Sequence, residues 1–502
     1  MTAIADSAPS APPASRRLVL GSVGTLLLLA ALEQSIVATA LPTIVAQLGG
    51  LDHLSWVVTA YILASTVAAP LYGKMGDLYG RRTMVFVSVG LFLVGSALCG
   101  LAWSMPALIG FRALQGLGGG GLMVLALSVV ADVVPLRERG RVQALFATVF
   151  ATSSVVGPLL GGWFVENASW RWIFYLNLPI GALAVAGFAL SFRPTGLRVA
   201  RSIDYAGAVA LSLTLGGLVL VTSLGGSTLP WTAPSMLALM AVVALALPAF
   251  VWIETRAAEP ILPLGLFRIN TFWVTCAVGF AAGAALFGAV TFLPIFLQIA
   301  RGASPTASGL MMVPMMVGIL IASNTAGRIM RVTGSQKSLL MVGTVLMTLG
   351  LLALSTMAAQ VPLWRFAASL ALTGAGIGCI FPVTMTAIQN AVPRETTGVA
   401  TASGLMFRQI GGSLAVALFG AIFAARLAER LGDVPGLASG EIGPAMLSGL
   451  AAGDRGRVVE AVVAGMHPIF LAAAAIAAIG VVLSMMLREV PLRMGGEAPA
   501  AA

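Results

Sequence analysis

Gly73-Lys-Met-Gly-Asp-Leu-Tyr-Gly-Arg-Arg82 is a charged island between two apolar runs. Leu54 to Leu71 precedes it and Thr83 to Trp103 follows it, and neither run carries a charge. Each is long enough to cross a bilayer as a helix, which takes roughly 20 apolar residues. The island therefore reads as a tight turn at a membrane surface. Gly73, Gly76 and Gly80 permit close backbone approach or positive φ. Asp77 can accept hydrogen bonds from the N-terminus of a neighbouring helix, where an anion is favoured. Lys74, Arg81 and Arg82 mark the cytoplasmic side, where basic residues gather.

Composition agrees. The chain has 502 residues, of which 59% are hydrophobic and 9% charged, whereas a soluble domain carries about 25% charged residues. The net charge of +10 is spread over short turns, with no basic patch interleaved with aromatics, so no nucleic-acid partner is expected. Cys99, Cys276 and Cys379 lie inside apolar runs without CxxC spacing, which argues against disulfides and metal ligation. No nucleophile, metal cluster or paired carboxylate suggests an enzyme, and no cofactor is expected.

The spacing Gly-x3-Asp-x2-Gly-Arg-Arg in Gly73–Arg82 resembles the signature loop between helices 2 and 3 of the major facilitator superfamily of transporters. Apolar length predicts about fourteen spans, an all-α polytopic membrane protein. Arg16 and Arg17 anchor the first, after an Ala/Pro/Ser-rich segment, 1–15, expected to be disordered. Most basic turn residues, Lys74 to Arg82, Arg137 to Arg141, Arg193 to Arg201, Arg328, Arg331 and Arg394 among them, fall on the side of the N-terminus. Both termini, the tail 491–502 included, are expected on the cytoplasmic side of an inner membrane.

Gly327 to Gly334 echoes Gly73 to Gly80, and Pro393-x4-Gly398 echoes Pro135-x4-Gly140. Such repeats imply two homologous halves. Their spacing exceeds what six helices need, and two inserted helices account for the excess. The expected organisation is a six-helix bundle over 16–200, two inserted helices over 201–260 and a second six-helix bundle over 261–490. A long extracytoplasmic loop, 425–465, would interrupt the second bundle.

Glu33 is the only carboxylate deep inside a span. An ionisable group there is costly and is a functional hypothesis by default. Burial disfavours a carboxylate's charge, which suits reversible binding of a proton or a substrate cation. Arg112 in the fourth span sits at a similar height, each ~10 Å from the outer end by helical rise. Contact between them would hold Glu33 ionised until a proton or substrate intervened.

Leu32-Glu-Gln-Ser-Ile-Val-Ala-Thr-Ala-Leu-Pro42 resembles the helix 1 signature of the fourteen-span drug:proton antiporters, the EmrB/QacA type. Gln34 falls within it, and Glu33 stands where that pattern usually has Asp. Gly157-Pro158-Leu-Leu-Gly161-Gly162 resembles a motif of the antiporter branches. Proline kinks a helix and glycine admits a close partner, a combination that suits a hinge. Gln34 and Arg408, the latter within Phe-Arg-Gln-Ile-Gly-Gly412, read as gating or structural.

The resemblance implies a proton-coupled efflux antiporter working by alternating access. It would expel hydrophobic, expectedly cationic, compounds from the bilayer or cytoplasm. Glu33 and Arg112 would carry coupling, Gly73, Asp77, Gly80, Arg81 and Arg82 the conformational switch, and Gly157, Pro158, Gly161 and Gly162 the hinge. Two other readings stay open: an exporter of one endogenous metabolite or lipid, and a non-transporting receptor or scaffold. The residues name neither a substrate nor a periplasmic adaptor.

Overall fold

The structure is a computed structural model that describes residues 13–48, 54–192, 204–225, 229–257, 259–303, 305–393, 396–431 and 452–489. The first half holds α1 (Pro13–Leu48), α2 (Leu54–Tyr79), α3 (Arg81–Gly100), α4 (Met105–Val133), α5 (Leu136–Asn167), α6 (Arg171–Tyr175) and α7 (Asn177–Ser191). Then come α8 (Tyr205–Leu224) and α9 (Pro234–Glu254). The second half holds α10 (Asn270–Ala300), α11 (Pro305–Met311), α12 (Val313–Thr333), α13 (Lys337–Ser355), α14 (Leu363–Ala391), α15 (Thr397–Leu431) and α16 (Ala452–Met485).

Among the described residues, twelve helical segments are long and apolar enough to cross a membrane. That count does not support the fourteen expected. α1 and α5 stand outside the twelve, although at 36 and 32 residues each exceeds the ~20 residues a span requires.

The packing follows one scheme twice. α1 lies on α5, α2 on α4 and α3 on α4, while α10 lies on α15, α12 on α14 and α13 on α14. Helices in a membrane associate by close van der Waals fit rather than by hydrophobic drive, so small residues sit at the contacts. A Cβ at Gly118 would strike the backbone of Phe92 on α3, and one at Gly374 would strike the backbone of Met315 on α12. α8 and α9 pack on each other, and α8 also touches α2 and α15. The Glu254 carboxylate at the end of α9 accepts from the N–H of Ile261 (3.2 Å) and Leu262 (3.3 Å), turning the chain into the second half.

Several boundaries differ from the sequence reading. Gly73–Arg82 is not a loop: α2 continues to Tyr79 and α3 starts at Arg81. Only Gly80 breaks the helix, with φ +88°, a conformation that favours glycine. Gly73 to Tyr79 prolong α2 despite two glycines, and Arg81 and Arg82 open α3. The spans expected over 172–191 and 306–327 are each two helices meeting at one residue, Leu176 and Met312, both in the right-handed helical region. α1 begins at Pro13, inside the segment expected to be disordered, and runs to Leu48; the rest of that segment and the tail 491–502 lie outside the described residues. α15 reaches Leu431 and α16 starts at Ala452, so the described ends of the 425–465 loop are helical; its middle, 432–451, lies outside the described residues.

Candidate functional site

Glu33 is fully buried, at 0% exposed, and Arg112 is 2% exposed. Nη1 of Arg112 forms a short ion pair with Oε1 of Glu33. The second carboxylate oxygen accepts from Nδ2 of Asn177 on α7 at 2.8 Å. Arg112 also donates through Nε to the Val57 carbonyl at 3.1 Å and through Nη1 to Oε1 of Gln115 at 2.7 Å. Nε2 of Gln115 donates to Oγ of Ser96 at 2.7 Å, and Asn177 donates to the same oxygen at 3.2 Å. The Tyr61 ring lies 4.4 Å from the guanidinium carbon and that of Phe174 5.8 Å, adding cation–π attraction. Two buried charges are tolerable only with this degree of satisfaction.

Phe174, whose ring faces Arg112, belongs to a buried apolar cluster with Ile36, Val37, Leu108 and Trp170. Glu33 is thus enclosed within the first bundle and does not face the space between the halves. Because α1 extends to Leu48, the residue also sits farther from that helix end, about 22 Å by helical rise. Three partners were not foreseen: Asn177, Gln115 and Tyr61. Asn177 lies on α7, beyond the short α6, and no motif points to it. Gln115 follows Arg112 by three residues, the spacing of facing helix neighbours, and that signal was available.

The side chain of Gln34 lies outside the described residues, as does that of Pro158. Gly157 and Gly161 are buried on α5. At Gly162 nothing lies within 4 Å of a built Cβ, so that glycine is not required by a close contact. α5 packs against α1, α12 and α14, placing the whole Gly157–Gly162 stretch on a helix shared by both halves.

The switch residues form a second cluster. Asp77 pairs with Arg81 one turn later, and Nε of Arg81 is 3.3 Å from Oδ2 of Asp132 on α4. The Asp77 carboxylate accepts from the N–H of Gly398 (3.2 Å) and Val399 (3.0 Å). Those N–H groups belong to the first turn of α15 and have no intrahelical acceptor, and the positive end of the helix favours the anion by about 0.3–2 kcal/mol. A Cβ on Gly73 would come within 2.7 Å of Cβ of Ala402, so α2 and α15 touch there. Lys74 pairs with Glu259 at 3.0 Å, and Nη2 of Arg82 donates to the Ala189 carbonyl at 3.1 Å. Gln389 on α14 donates to the Leu127 carbonyl on α4 at 3.4 Å, a further tie between halves at the same end. Asp204 caps α8 by accepting from the Gly207 N–H at 2.8 Å.

A cavity of about 70 Å³ lies between the halves. Ala30 of α1, Tyr61 and Thr66 of α2, Met123 of α4, and Leu405 and Arg408 of α15 are on its wall. Arg408 therefore faces the central space. Tyr61 stands between that space and Arg112, touching both.

Residues 23–416 match the sequence profile of the Major Facilitator Superfamily. The chain belongs to that superfamily. It is a multi-pass membrane transporter and not an enzyme. It is 41% identical to an uncharacterised MFS-type transporter of Mycobacterium tuberculosis, over 98% of this chain and 72% of that one. It is 36% identical to the multidrug transporter protein MdtP of Bacillus subtilis, over 88% and 82% of the two chains. Multidrug resistance protein 3 of the same organism is 34% identical over 84% and 83%. Among solved structures, a proton:xylose symporter superposes with TM-score 0.63 at 13% identity, covering 94% of this chain and 95% of the other. A human organic anion transporter does so with TM-score 0.62 at 15% identity, covering 94% and 100%. At those identities the last two carry the fold alone.

Proposed function

We propose that this transporter is a proton-coupled exporter of hydrophobic compounds, of the fourteen-span drug:proton antiporter type. Fourteen crossings follow if α1 and α5 span beside the other twelve segments. Both termini then lie in the cytoplasm, the side that basic turn residues favour, and the membrane is the cytoplasmic one. The relatives named for multidrug transport and resistance support export.

One observation carries the coupling: a fully enclosed carboxylate, Glu33, shared between Arg112 and Asn177. Protonation of Glu33 would cancel its charge and loosen its hold on Arg112. Tyr61, stacked on Arg112 and lining the cavity, would feel that change, so proton and substrate compete through one side chain. The Asp77 cluster closes the cytoplasmic end in the state described, and its release would open that end. A cationic substrate preference needs Glu33 to reach the cavity, which its enclosure argues against in this state.

The test is uptake into energised inverted membrane vesicles, with ethidium as a cation and 2-naphthoate as an anion. Accumulation of either that collapses with an uncoupler supports proton-driven export. Uptake of neither by a correctly inserted protein sinks the proposal and favours a narrow endogenous substrate or a non-transporting role.

A further inference from the structure

The two described arginines buried in the first half have acids: Arg112 pairs with Glu33, and Arg81 with Asp77. Arg408 differs. Among the described residues it has no carboxylate within ion-pair distance. Its Nη2 is 3.5 Å from Sδ of Met123, and its guanidinium carbon is 4.6 Å from the centroid of the Phe381 ring. A thioether is a weak acceptor and a ring face offers only its quadrupole. Arg408 is half-buried, and such neighbours compensate its charge only weakly.

A second group on the same wall is also unspent. Thr66 is 7% exposed, lines the cavity, and its Oγ1 has no hydrogen-bond partner. Buried hydroxyls nearly always find one. The remaining wall is mixed, with Ala30, Met123, Leu405 and Met406 on its apolar side and Tyr61, Ser65 and Gln409 on its polar side. The cavity thus offers one fixed positive charge and one spare hydroxyl within a partly apolar wall.

We propose that this cavity is a binding site for lipophilic organic anions, in which Arg408 pairs with a carboxylate or sulfonate and Thr66 donates a hydrogen bond to it. The inference rests on the transport reading above and narrows its substrate class. At about 70 Å³ the cavity exceeds the ~10–15 Å³ that one water needs on the same kind of measure, which leaves room for a carboxylate-sized head. The apolar body of the ligand enters when the halves separate. Charge-assisted hydrogen bonds are the strong ones, so the head fixes the ligand while the flexible methionines fit varied bodies.

Three probes of one shape test this on the purified full chain: 2-naphthoate, 2-naphthylmethanol and 2-naphthylmethylammonium, by equilibrium binding and by uptake into proteoliposomes. The wild type should bind naphthoate at least about tenfold tighter than the other two. Arg408→Gln should remove that preference, Arg408→Lys should restore part of it, and Thr66→Val should weaken naphthoate binding by about threefold. Equal affinity for naphthoate and the ammonium probe overturns the anion site, as does unchanged naphthoate binding in a folded Arg408→Gln protein. If Arg408→Gln does not fold, the wild-type ranking and Thr66→Val decide alone. Naphthoate binding without flux of any probe upholds the site and overturns transport. Flux of the ammonium or alcohol without naphthoate binding overturns the site and upholds transport.

Discussion

Asp77 of α2 accepts a hydrogen bond from the backbone N–H of Val399 at 3.0 Å, across the boundary between the two halves. A side chain of one half thereby caps a helix of the other, and Arg81 holds that side chain from behind. On the proposed alternating-access reading, separation of these helix ends would break the contact, which would then bias a two-state equilibrium and not merely add stability.

Asp77→Asn should weaken this tie, since hydrogen bonds to a charged group contribute about 1.5–3 kcal/mol. Spin labels at Tyr79 and Val332, both exposed near the C-terminal ends of α2 and α12, would report it by pulsed dipolar spectroscopy. The long-distance population should grow by roughly tenfold or more relative to wild type. An unchanged distance distribution would remove Asp77 from the switch.

Arg112→Ala should be more damaging to folding than a paired replacement. Removing one partner of a buried ion pair costs about 3–5 kcal/mol, whereas apolar groups in both places can be neutral. Arg112→Met combined with Glu33→Leu should therefore melt higher than Arg112→Met alone, while transporting nothing against a gradient. Additive losses in thermal unfolding would mean that the two side chains are not coupled.

Gly118→Ala and Gly374→Ala should each lower the unfolding temperature sharply, because the added methyl meets backbone that cannot step aside. Gly162→Ala, with open space around it, should be nearly neutral. Comparable losses at all three positions would contradict the packing described.

Glu489 ties the end of the second bundle to α13. Its Oε1 accepts from Ser335 Oγ at 2.7 Å and from the N–H of Gln336 at 2.9 Å. The Ser335 hydroxyl, first among these, holds the carboxyl below its usual range. A depressed carboxylate stabilises at pH above its unfolded value and loses that contribution as pH falls through the folded one. Amide exchange at Gln336 and Lys337, corrected for intrinsic rates, should stay protected across neutral pH and lose protection only at pH below the ordinary glutamate range. Loss of protection already near pH 6 would contradict this anchoring.

Much of the fold was legible because apolar length is set by bilayer thickness. The breaks at Leu176 and Met312 were not, since the apolar runs pass through them without interruption. The Gly73 island was misread as a loop because charge marks a membrane surface and does not by itself end a helix; only Gly80 does that. For the site, matching depths brought Glu33 and Arg112 together on paper. Asn177 lies 144 residues from Glu33 in sequence, and no local pattern connects them. The orientation of Arg408 towards the cavity depends on the rotation of α15, which packing fixes and residue order does not.

The central claim is that Glu33 carries the coupled proton, and one measurement reaches it most directly. In proteoliposomes loaded with a transported dye, an imposed pH gradient should accelerate wild-type exchange by at least about tenfold. It should leave Glu33→Gln at its ungraded rate while downhill exchange persists. If Glu33→Gln answers the pH gradient as strongly as wild type, the proton is carried elsewhere and this account of coupling is wrong.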